Sequence, residues 1–581
     1  MAEPAPDLPN ARIAEIIDEL GDLYELDGAI VHRVLAYRNG AKAVRDATRS
    51  VAALTRAGTV TELPGIGKTL EEKLKALLDT GTIPALEKLR AKFPPGLLAM
   101  TRLPGLGPKR ARKLYDELGI DSLDALATAA QEQKLRGVKG FGPKFEEAVL
   151  AAIAAGHGEE RSRRVPLHRA METAGPIVDA LRAHPASDEV HVAGSARRMA
   201  DSVKDLDVIA TASDPRALLE AFAALPDLQS AGTVGDNAVK GVTHNGLSID
   251  VRVVEPGQLG NLLQHFTGSK NHNLALRAAA VRKGLHVSEY GITDDATGET
   301  HRCATEEEVY ALLGLPLIPP ELREDRGELA FRTAADVPAL VTQADLRGDL
   351  HMHTIASDGR GTIREMAEAA RDRGLDYIAI TDHSASHGFG NDVSPDELRR
   401  QIERVRQVDA EVEGITVLAG SEVNILPDGS LDYADDLLAE LDWVVASVHT
   451  QFAMDEAAMT KRIVAALEHP SVYALGHPTG RKIEQRQAYA VDMDAVIDAA
   501  ARTGTFLEIN SAPDRRDLHD VHARAAAAAG VLIVIDSDAH GPEKLGVTSW
   551  GVGTARRAWL TAAQVANTRS WTELDALRKQ G

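Results

Sequence analysis

From about residue 346 the chain alternates short apolar stretches with longer amphipathic ones, and this rhythm limits the folds open to it. Apolar stretches such as YIAIT, WVVAS and VLIVID have the length of strands. The segments between them have the apolar spacing of helices, among them TIREMAEAARDRG, DELRRQIERVRQVDAEVEG, MTKRIVAALEH, MDAVIDAAARTG and VHARAAAAAG. Strands that alternate with such helices are typical of parallel β/α folds. The sequence therefore predicts a β/α barrel.

Histidines and acids recur at or just past the C-terminal ends of these predicted strands, the end that carries the active site in a β/α barrel. A single such histidine would be interpreted as an ordinary polar residue. Nine histidines and acids at or near the same end of different strands predict that they form one metal-binding rim. Imidazole with carboxylate favours Mn, Zn or Fe over Mg alone. The only cysteine, Cys303, excludes a disulfide framework and a zinc ribbon. The nine candidate ligands are His351, His353, Asp358, His383, Glu422, His449, His477, Asp538 and His540.

The front of the chain repeats one short turn three times, in LPGIGKTLEEKL (63–74), LPGLGPKRARKL (103–114) and VKGFGPKFEEAV (138–149). Glycines permit a tight turn, and the following helix start offers backbone N–H groups to a phosphate oxygen. One copy would be an ordinary glycine-capped connection between helices, but three favour sequence-independent binding to a nucleic-acid backbone. The motif resembles the helix-hairpin-helix of DNA repair proteins. Its candidate DNA-binding residues are Gly65, Gly67, Lys68, Gly105, Gly107, Lys109, Arg110, Gly140, Gly142 and Lys144.

Before the first turn, two amphipathic helices are predicted from apolar spacing. One follows from Ile13, Ile16, Ile17 and Leu20, and the other from Val31, Val34 and Leu35.

Charge is distributed unevenly along the chain, whose formal net charge is −21. Such a charge argues against a nucleic-acid partner, because Lys and Arg supply most non-specific affinity for phosphates. Through Val165, however, 25 Lys and Arg face 23 Asp and Glu, a net charge of about +2, so the remainder of the chain carries a net charge of −23. This division is expected if contact surfaces lie upstream and acidic metal sites lie downstream.

A pair of alternate carboxylates, Asp205 and Asp207, follows a glycine- and serine-bearing loop in GSARRMADSVKDLDVIA (194–210). The flanking apolar residues predict two strands, so both carboxylates should point to one face and can share divalent cations. The loop offers backbone N–H groups at Gly194 and Ser195 and the forked guanidinium of Arg198, which suit triphosphate oxygens. The alternative is a polar turn in a surface hairpin.

A third carboxylate, Asp250, lies in the otherwise apolar strand predicted for 247–254, after a turn at Asn245 and Gly246. An unpaired carboxylate there would be costly. Three carboxylates on neighbouring strands can hold two divalent ions roughly 4 Å apart, which activates a 3′ hydroxyl and stabilises leaving pyrophosphate. The alternative is an Asp250 that pairs with Arg252 or Arg197.

The next segment, HFTGSKNHNLALR (265–277), adds a Gly-Ser turn and a helix that places Asn273 and Arg277 on one face. Together, GSARR with KDLD, then IDVR, then HFTGS with N-x-x-x-R resemble the nucleotidyltransferase palm and thumb of the family X DNA polymerases. The resemblance implies that Asp205, Asp207 and Asp250 hold the catalytic metals, and that Ser195 and Arg198 bind the triphosphate. It places Gly268, Ser269 and Asn273 near the incoming nucleotide, and Arg277 near the template strand.

The resemblance extends to the front of the chain, which would match the family's lyase domain and fingers. Lys73 lies where the family has its lyase lysine, so it is a candidate Schiff-base nucleophile, although such a lysine is more often a solvated helix residue. Three residues depart from the family pattern. Met199 and Lys204 stand where small residues are usual, and His265 stands where tyrosine is common. These departures bear on efficiency and sugar discrimination more than on the type of reaction.

The rear of the chain resembles the PHP (polymerase and histidinol phosphatase) domain, with an intact ligand pattern, over about residues 346–575. The resemblance implies three metal ions and an activated water that attacks a phosphodiester or phosphomonoester. Arg515, in APDRRDL, is a candidate ligand for the substrate phosphate.

Taken together, these features predict a multidomain α+β and α/β protein that fills short gaps in base excision repair and trims 3′ ends with a 3′–5′ exonuclease. Alternative functions are a 3′-phosphatase or AP endonuclease in the PHP domain, and a DNA end-binding scaffold with weak polymerase activity. The expected cofactors are two Mg²⁺ or Mn²⁺ ions in the palm and up to three Mn²⁺, Zn²⁺ or Fe ions in the PHP domain. The expected partners are gapped or nicked double-stranded DNA and dNTPs.

The expected domains follow the motifs. They are a helical lyase-like domain with a helix-hairpin-helix (1–90), fingers with two more such motifs (91–160), the palm (161–258), the thumb (259–328), a linker (329–345) and a distorted (β/α)7 PHP barrel (346–581). The stretch 156–167 has the composition of a linker. The N-terminus has no signal-peptide core and no long uncharged run follows, so a cytoplasmic monomer without membrane contact is expected.

Overall fold

The computed structural model describes residues 8–101, 103, 105–154, 164–386, 388 and 391–578. Most of the linker predicted at 156–167 lies outside these residues. Two compact units are distinguished by their internal packing. The first takes its residues from 1–163, 173–188 and 213–253, and the second from 164–172, 189–212 and 254–581. None of the described helices combines the length and apolar character needed to cross a lipid bilayer.

The front of the chain is helical and packs around one apolar core, to which Ile13, Leu20, Leu74, Leu114 and Leu126 belong. Each of the three repeated turns is followed directly by a helix, as predicted. The helices are α1 (Asn10–Leu26), α2 (Val31–Asp46), α3 (Val51–Ala57), α4 (Lys68–Thr80), α5 (Pro84–Lys92), α6 (Pro95–Thr101), α7 (Pro108–Leu118), α8 (Leu123–Gln131) and α9 (Pro143–Ala154).

The apolar stripe predicted for the first helix is confirmed, whereas the stripe predicted for the second is partly wrong. Ile13 and Ile17 of α1 are fully buried. In α2, Val34 is buried, but Val31 and Leu35 are 58% and 44% exposed. Helix α2 instead buries a stripe further along, at Tyr37, Ala41 and Val44. Helix α1 approaches α2 closely at this stripe, because a Cβ atom added to Gly21 of α1 would lie 3.2 Å from Tyr37 Cβ and 3.9 Å from the carbonyl oxygen of Val34.

The middle of the chain mixes strands and helices: β1 (Val165–Pro166), α10 (Leu167–Ala183), β2 (Ser187–Val192), α11 (Gly194–Arg197), β3 (Ser202–Val203), β4 (Asp205–Ala212), α12 (Pro215–Ala223), β5 (Leu228–Ala231), β6 (Ala238–Thr243) and β7 (Ser248–Val254). Strands β5, β6 and β7 form an antiparallel meander in which Lys240 faces Asp250. The turn predicted at Asn245 and Gly246 is confirmed, with a left-handed φ of 86° at Gly246. Polar and apolar residues alternate along β7, as predicted, whereas in β4 burial alternates only over its first four residues and the next three are all buried.

The following segment contains α13 (Leu259–Thr267), α14 (Lys270–Val281), β8 (Leu285–Ser288), β9 (Gly291–Asp294), β10 (Thr300–His301) and α15 (Glu306–Leu312). The three strands form an antiparallel sheet in the order β10-β9-β8. A small core of its own, which includes Leu276, Ile292, Val309 and Tyr310, holds the sheet against α14 and α15.

The rear of the chain is a barrel of seven parallel strands in sequential order, as the strand and helix rhythm predicted. The strands are β11 (Gly348–Asp349), β12 (Tyr377–Ile380), β13 (Thr416–Asn424), β14 (Trp443–Ser447), β15 (Ala474–Leu475), β16 (Phe506–Asn510) and β17 (Ile533–Asp536). The helices are α16 (Ile363–Arg371), α17 (Pro395–Glu411), α18 (Asp435–Leu438), α19 (Glu456–Leu467), α20 (Met493–Thr503), α21 (Asp520–Ala528), α22 (Thr548–Arg557) and α23 (Trp571–Asp575).

The barrel is nearly closed, because the segments that follow its first and last strands bond to each other. The amide of Asp538 donates to the carbonyl of His351 at 2.9 Å, and the amide of His353 donates to Ala539 at 2.8 Å. Each of these hydrogen bonds joins segments that carry predicted metal ligands. Closure therefore brings the beginning and the end of the predicted ligand set together.

Candidate active sites

The barrel gathers all nine predicted ligands at the C-terminal ends of its strands. His351 and His353 follow β11, His383 follows β12, and Glu422 lies near the end of β13. His449 and His477 follow β14 and β15, and Asp538 and His540 follow β17. Asp358 comes from the loop between β11 and α16. The parallel order of the strands thus converts positions far apart in sequence into one rim.

Glu422 lies at the centre of this rim, with only 1% of its surface exposed. Its Oε1 atom is 2.9 Å from His477 Nε2 and 3.1 Å from His449 Nε2. Its Oε2 atom is 2.8 Å from His383 Nδ1 and 3.4 Å from His351 Nε2. His353 Nε2 also lies 3.6 Å from Oε2, so one carboxylate faces five imidazoles that follow four different strands.

The other two acids join the remaining histidines. Asp538 Oδ1 is 3.1 Å from His353 Nε2, and Asp358 Oδ2 is 3.2 Å from His540 Nε2. Asp358 Oδ1 is also 3.6 Å from His383 Nε2. Asp358 is exposed while His353 is buried, so the rim has one side open to solvent.

The donor set fits divalent metal ions. Three groups have ligand atoms within 4.8 Å of one another, and they share members: His353, Asp358, His383 and His540; His351, His353 and Asp538; and His383, Glu422 and His449. Some of these atoms are buried without a hydrogen bond among the described residues, including His351 Nε2 and His353 Nδ1. Such atoms are costly to bury unless a ligand satisfies them.

The pKa values at the rim reflect crowding of opposite charges. Burial favours the neutral imidazole of His540, but Asp358 and Asp538 outweigh it and raise its pKa to about 9. Burial, together with the neighbouring His383, lowers the pKa of His353 to about 4. Burial would raise the pKa of Glu422, yet His449 and His351 hold it well below its usual range. At neutral pH the carboxylates are therefore charged and ready to bind cations.

Sequence reasoning missed Glu508, which orients one of the ligands. This buried residue of β16 lies 2.6 Å from His351 Nδ1 through its Oε1 atom, and its Oε2 accepts a hydrogen bond from the amide of His477 at 2.5 Å. A carboxylate on the far nitrogen fixes the imidazole with Nε2 toward the metal position. The signal in the sequence was a single acid inside the apolar strand FLEIN.

Two further orienting residues were also missed. Asp382 accepts hydrogen bonds from Thr354 and Ser357, and so holds the loop between His353 and Asp358. Asn510 donates from Nδ2 to Asp538 Oδ2 at 2.9 Å. Arg515, the predicted phosphate ligand, lies at the same rim, with Nε 3.8 Å from Asp538 Oδ2.

The loop that carries Gly194 lies in the second unit and approaches Asp207 closely. The amide of Ala193 donates to the carbonyl of Asp207 at 2.8 Å. Gly194 has a φ of 66°, and a Cβ atom there would lie 2.4 Å from Asp207 Oδ2. Only glycine therefore fits at this position. The segment predicted as a loop begins as the short helix α11, which contains Gly194 and Ser195.

Arg198, the predicted triphosphate ligand, is already bound by protein groups. Its Nε donates to Glu324 Oε1 at 3.0 Å, and its Nη1 donates to the carbonyl of Thr267 at 2.8 Å. The neighbouring Arg197 donates to Thr267 Oγ1 and to Glu306 Oε2. Both arginines thus tie the loop to the segments around α13 and α15.

Asp250 lies in the first unit, on β7. Its Oδ2 atom is 3.3 Å from Lys240 Nζ and 3.4 Å from Arg252 Nη2, so one part of the alternative stated above, an ion pair with Arg252, is present. Its Oδ1 atom is buried and makes no hydrogen bond within the described part of the chain. Arg197, the other partner considered, is bound elsewhere.

The Gly-Ser turn before α14 is built from the predicted nucleotide-binding residues. Ser269 Oγ accepts a hydrogen bond from the amide of His272 and caps the helix. Asn273 donates from Nδ2 to the carbonyl of His265 at 2.7 Å. A Cβ atom on Gly268 would lie 2.3 Å from Asn273 Oδ1. Arg277 Nη2 lies 3.3 Å from His265 Nδ1, so both predicted side chains lie on one face of α14.

The three repeated turns in the first unit have the same geometry. Gly65, Gly105 and Gly140 have φ values of 93°, 76° and 98°. Helices α4, α7 and α9 begin three residues after these glycines. Arg110 donates to the carbonyls of Gly105 and Gly140 and so joins the second turn to the third. Lys68, Lys109 and Lys144 are exposed beside the turns, and Lys73 is partly buried on α4.

Family models match four parts of the chain. A helix-hairpin-helix domain matches residues 8–83, and a SAM-like helix-hairpin-helix tandem matches 97–155. The DNA polymerase beta thumb matches 262–324, and the PHP domain matches 349–512.

Three relatives illustrate two kinds of match, one over nearly the whole chain and two over about two-fifths of it. The chain is 39% identical over 570 residues to the DNA polymerase/3′-5′ exonuclease PolX of Bacillus subtilis (strain 168). The aligned residues make up 98% of this chain and 99% of the relative. Over 238 residues it is 33% identical to a probable phosphatase of Thermoanaerobacter sp. (strain X514), covering 38% of this chain and 89% of the relative. A probable phosphatase of Shewanella sediminis is 31% identical over 243 residues, which are 40% of this chain and 94% of the relative.

Proposed function

Because the chain belongs to the family X DNA polymerases that carry a C-terminal PHP domain, we propose that it extends DNA in its palm and degrades DNA from the 3′ end in its barrel. The observation that carries this proposal is the full-length relationship to a polymerase/exonuclease, together with a barrel rim that gathers the nine predicted ligands, eight of which fall in groups with the spacing of metal ligands. The two activities require divalent metals and a DNA substrate. We further propose short-gap filling in base excision repair, with gapped or nicked duplexes and dNTPs as substrates and a monomer as the working form.

For the palm, we propose that Asp205, Asp207 and Asp250 hold two Mg²⁺ or Mn²⁺ ions. Such ions, when bound, lower the pKa of a 3′ hydroxyl and neutralise charge on the leaving pyrophosphate. The alternation of buried and accessible residues along β4 supports this role, because it puts both acids of the D-x-D pair on the same side of the strand. The buried Oδ1 of Asp250, which lacks a hydrogen bond, supports a role for that carboxylate as a ligand.

We propose that the triphosphate binds at Gly194, Ser195 and Arg198. The absence of a side chain at Gly194 lets the backbone of this turn lie directly against Asp207, where an added Cβ atom would be 2.4 Å from Oδ2, so the turn and the carboxylate stay close enough to act on one ligand. On triphosphate binding, the Arg198 guanidinium would release the Glu324 carboxylate and donate its hydrogen bonds to phosphate oxygens instead. Gly268, Ser269 and Asn273 would hold the nucleotide, and Arg277 would meet the template strand.

For the front, we propose that the turns at Gly65, Gly105 and Gly140 bind the DNA backbone. Their exposed lysines and helix starts supply cationic and N–H donors to phosphates. These contacts would position a duplex without reading its bases. Lys73 is our candidate for a lyase nucleophile, since it lies one helical turn beyond Lys68 on α4.

For the barrel, we propose Mn²⁺, Zn²⁺ or Fe at up to three positions, one for each of the overlapping ligand groups. Such ions supply a hydroxide nucleophile at neutral pH. Glu422 and the surrounding histidines would hold them, while Glu508 keeps His351 in its binding orientation. Arg515 would neutralise the scissile phosphate at the rim, where it already lies near an acid.

Primer extension on a duplex with a one-nucleotide gap, in Mg²⁺ or Mn²⁺, tests the palm. The wild-type chain should add one nucleotide, and Asp205→Ala/Asp207→Ala should add none. No extension above that of the double variant would refute the polymerase assignment.

A second candidate for the barrel is a phosphatase, favoured by the match of the barrel alone to probable phosphatases over about nine-tenths of their length. Products from a plain primer, a primer with a 3′ phosphate and an abasic duplex separate the alternatives. Stepwise shortening of the plain primer indicates an exonuclease. Release of phosphate without shortening indicates a phosphatase, and cleavage at the abasic site indicates an AP endonuclease.

A further inference from the structure

Three arginines of the barrel domain converge on residues 198–201, at the end of the loop to which we assign triphosphate binding. They are Arg481, Arg516 and Arg557, and all lie in the same compact unit as the loop. The residues they contact follow α11, so they end the turn that presents Gly194 and Ser195. We call this set of contacts the arginine clamp.

Arg516 makes the most buried contact of the arginine clamp, with 1% of its surface exposed. Its Nη2 donates to the carbonyl of Met199 at 2.7 Å, and its Nη1 donates to the carbonyl of Ala200 at 3.0 Å. Its Nε donates to Thr554 Oγ1, on α22. One guanidinium therefore fixes two consecutive peptide groups of the loop to a helix of the barrel.

Arg481 and Arg557 hold the residues on either side. Arg481 Nη1 donates to the carboxylate of Asp201 at 2.7 Å. Arg557 Nη1 donates to the carbonyl of Arg198 at 2.7 Å and to Glu324 Oε1 at 2.8 Å. That Glu324 oxygen also accepts the hydrogen bond from Arg198. The barrel thus contacts both the backbone and the carboxylate partner of the predicted triphosphate ligand.

The contacts of Met199 account for a methionine at a position where the family usually has a small residue. Its φ of 56° is left-handed, a conformation that favours glycine. Its side chain packs against Gly553 of α22, where an added Cβ would lie 2.4 Å from Met199 Cε. The methionine therefore gains a contact with the barrel that the usual small residue could not make.

We infer that Arg481, Arg516 and Arg557 are positioning residues for the polymerase site, and that the barrel domain holds the triphosphate loop in its binding conformation. The inference rests on the proposed function of that loop. N–H donors that are already ordered bind an anion without the loss of conformational entropy that ordering them would cost. Loosening the clamp should therefore weaken dNTP binding while the chemical step and the barrel's own activity stay intact.

The test compares Arg481→Gln, Arg516→Lys and Gly553→Ala with a control, Arg486→Gln. Arg486 lies in the same stretch as Arg481 and is similarly half-buried, but it donates to Gly480 within the barrel. Loss of one charge-assisted hydrogen bond should raise the KM for dNTP about tenfold on a gapped duplex, with kcat and the nuclease rate unchanged. Arg486→Gln should leave the KM at the wild-type value.

Gly553→Ala supplies a test that does not depend on a buried arginine. Its added methyl group pushes on Met199 Cε, so the KM should rise, and the double variant Gly553→Ala/Met199→Ala should recover because Met199 Cβ lies at 3.4 Å. Rescue supports the proposal, and failure of the double variant to recover contradicts it.

Hydrogen exchange at the amides of Met199 and Ala200 measures the clamp without catalysis. Both amides donate to carbonyls within the turn, at 3.0 Å. Their exchange should quicken in Arg481→Gln and Gly553→Ala and stay unchanged in Arg486→Gln. Unchanged exchange in Arg481→Gln and Gly553→Ala would show that the arginine clamp does not hold the loop. Faster exchange in these variants with a wild-type KM for dNTP would show that the clamp does not position the triphosphate site. If the wild-type chain adds no nucleotide, the proposed function fails, and exchange still decides whether the barrel holds the loop.

Discussion

Single side chains at the barrel rim differ in how they act, and Glu508 is the clearest case of a residue that acts through another. It contacts His351 and the amide of His477. Because it lies behind the ligand, its loss should change metal affinity more than the fold.

We predict that Glu508→Gln lowers the metal affinity of the barrel by about 10- to 100-fold. The amide cannot hold the His351 imidazole with the same charge and geometry. Titration of nuclease activity with Mn²⁺ measures the effect. Glu468→Gln, at a half-exposed glutamate of the same barrel, is the control. Equal metal affinity in the Glu508 variant and the wild type would refute the orienting role.

His540 gives a prediction about protons. Its pKa of about 9 means that it is protonated at pH 7 in the metal-free protein, and a metal binds only the neutral imidazole. Metal binding at pH 7 should therefore release a proton, and apparent affinity should fall as the pH drops below about 9. Calorimetry in two buffers of different ionisation enthalpy measures the release. A heat of binding independent of the buffer would contradict the prediction.

The rim ligands could be found from the sequence because polar residues stand out at the ends of apolar strands. Glu508 is also a polar residue in an apolar strand, but it lies inside the strand and not at its end, so it did not stand out as a ligand. The arginine clamp gave no signal, because Arg516 and Met199 are 317 residues apart and meet only after the chain has folded. Met199 and Lys204 both depart from the family pattern near this loop, and the structure accounts for Met199 but not for Lys204.

At the scale of single helices, the sequence also predicts features set by local residues better than features set by tertiary packing. The starts of α4, α7 and α9 follow from local turn chemistry, so the Gly-x-Gly pattern predicted them. The buried stripe of α2 depends on which part of the helix its neighbour covers, and local spacing misplaced it.

The first residue of α11, Gly194, is a position at which one added methyl group should separate the two activities. Gly194→Ala meets Asp207 Oδ2 and a left-handed φ, so extension should fall at least about tenfold while the nuclease rate is kept. Gly257→Ala, where nothing lies within 4 Å, is the matched control. Gap filling and nuclease assays on the same preparations measure both rates. Normal extension by Gly194→Ala would show that the loop does not need this close approach.

The helix-hairpin-helix turns should be responsible for much of the salt dependence of DNA binding. Replacing Lys68, Lys109 and Lys144 with Gln should weaken binding and reduce the salt slope by up to about 0.9 for each lost phosphate contact. Affinity for a gapped duplex at several salt concentrations measures this slope. The control replaces three other exposed lysines of the same unit: Lys42, Lys88 and Lys134. An equal loss in both triple variants would show that net charge, rather than the turns, governs binding.

At the scale of the whole molecule, the net charge of −21 lies behind residue 165, because the front of the chain balances its 23 Asp and Glu with 25 Lys and Arg. Many of the acids behind that residue lie in the metal-binding half, where bound cations would offset their charge. The order of the activities along the chain was predictable from motifs. The support that the barrel gives to the triphosphate loop depends on side chains brought together from distant segments, and the structure was needed to find it.

The central claim is that one chain builds DNA ends at one site and hydrolyses them at another. It is tested most directly on a single gapped duplex with a labelled primer, incubated with and without dNTPs. Asp205→Ala/Asp207→Ala should shorten the primer and never extend it, and His351→Ala/His353→Ala should extend it and never shorten it. Loss of both activities in either folded double variant would contradict the assignment of two separate sites.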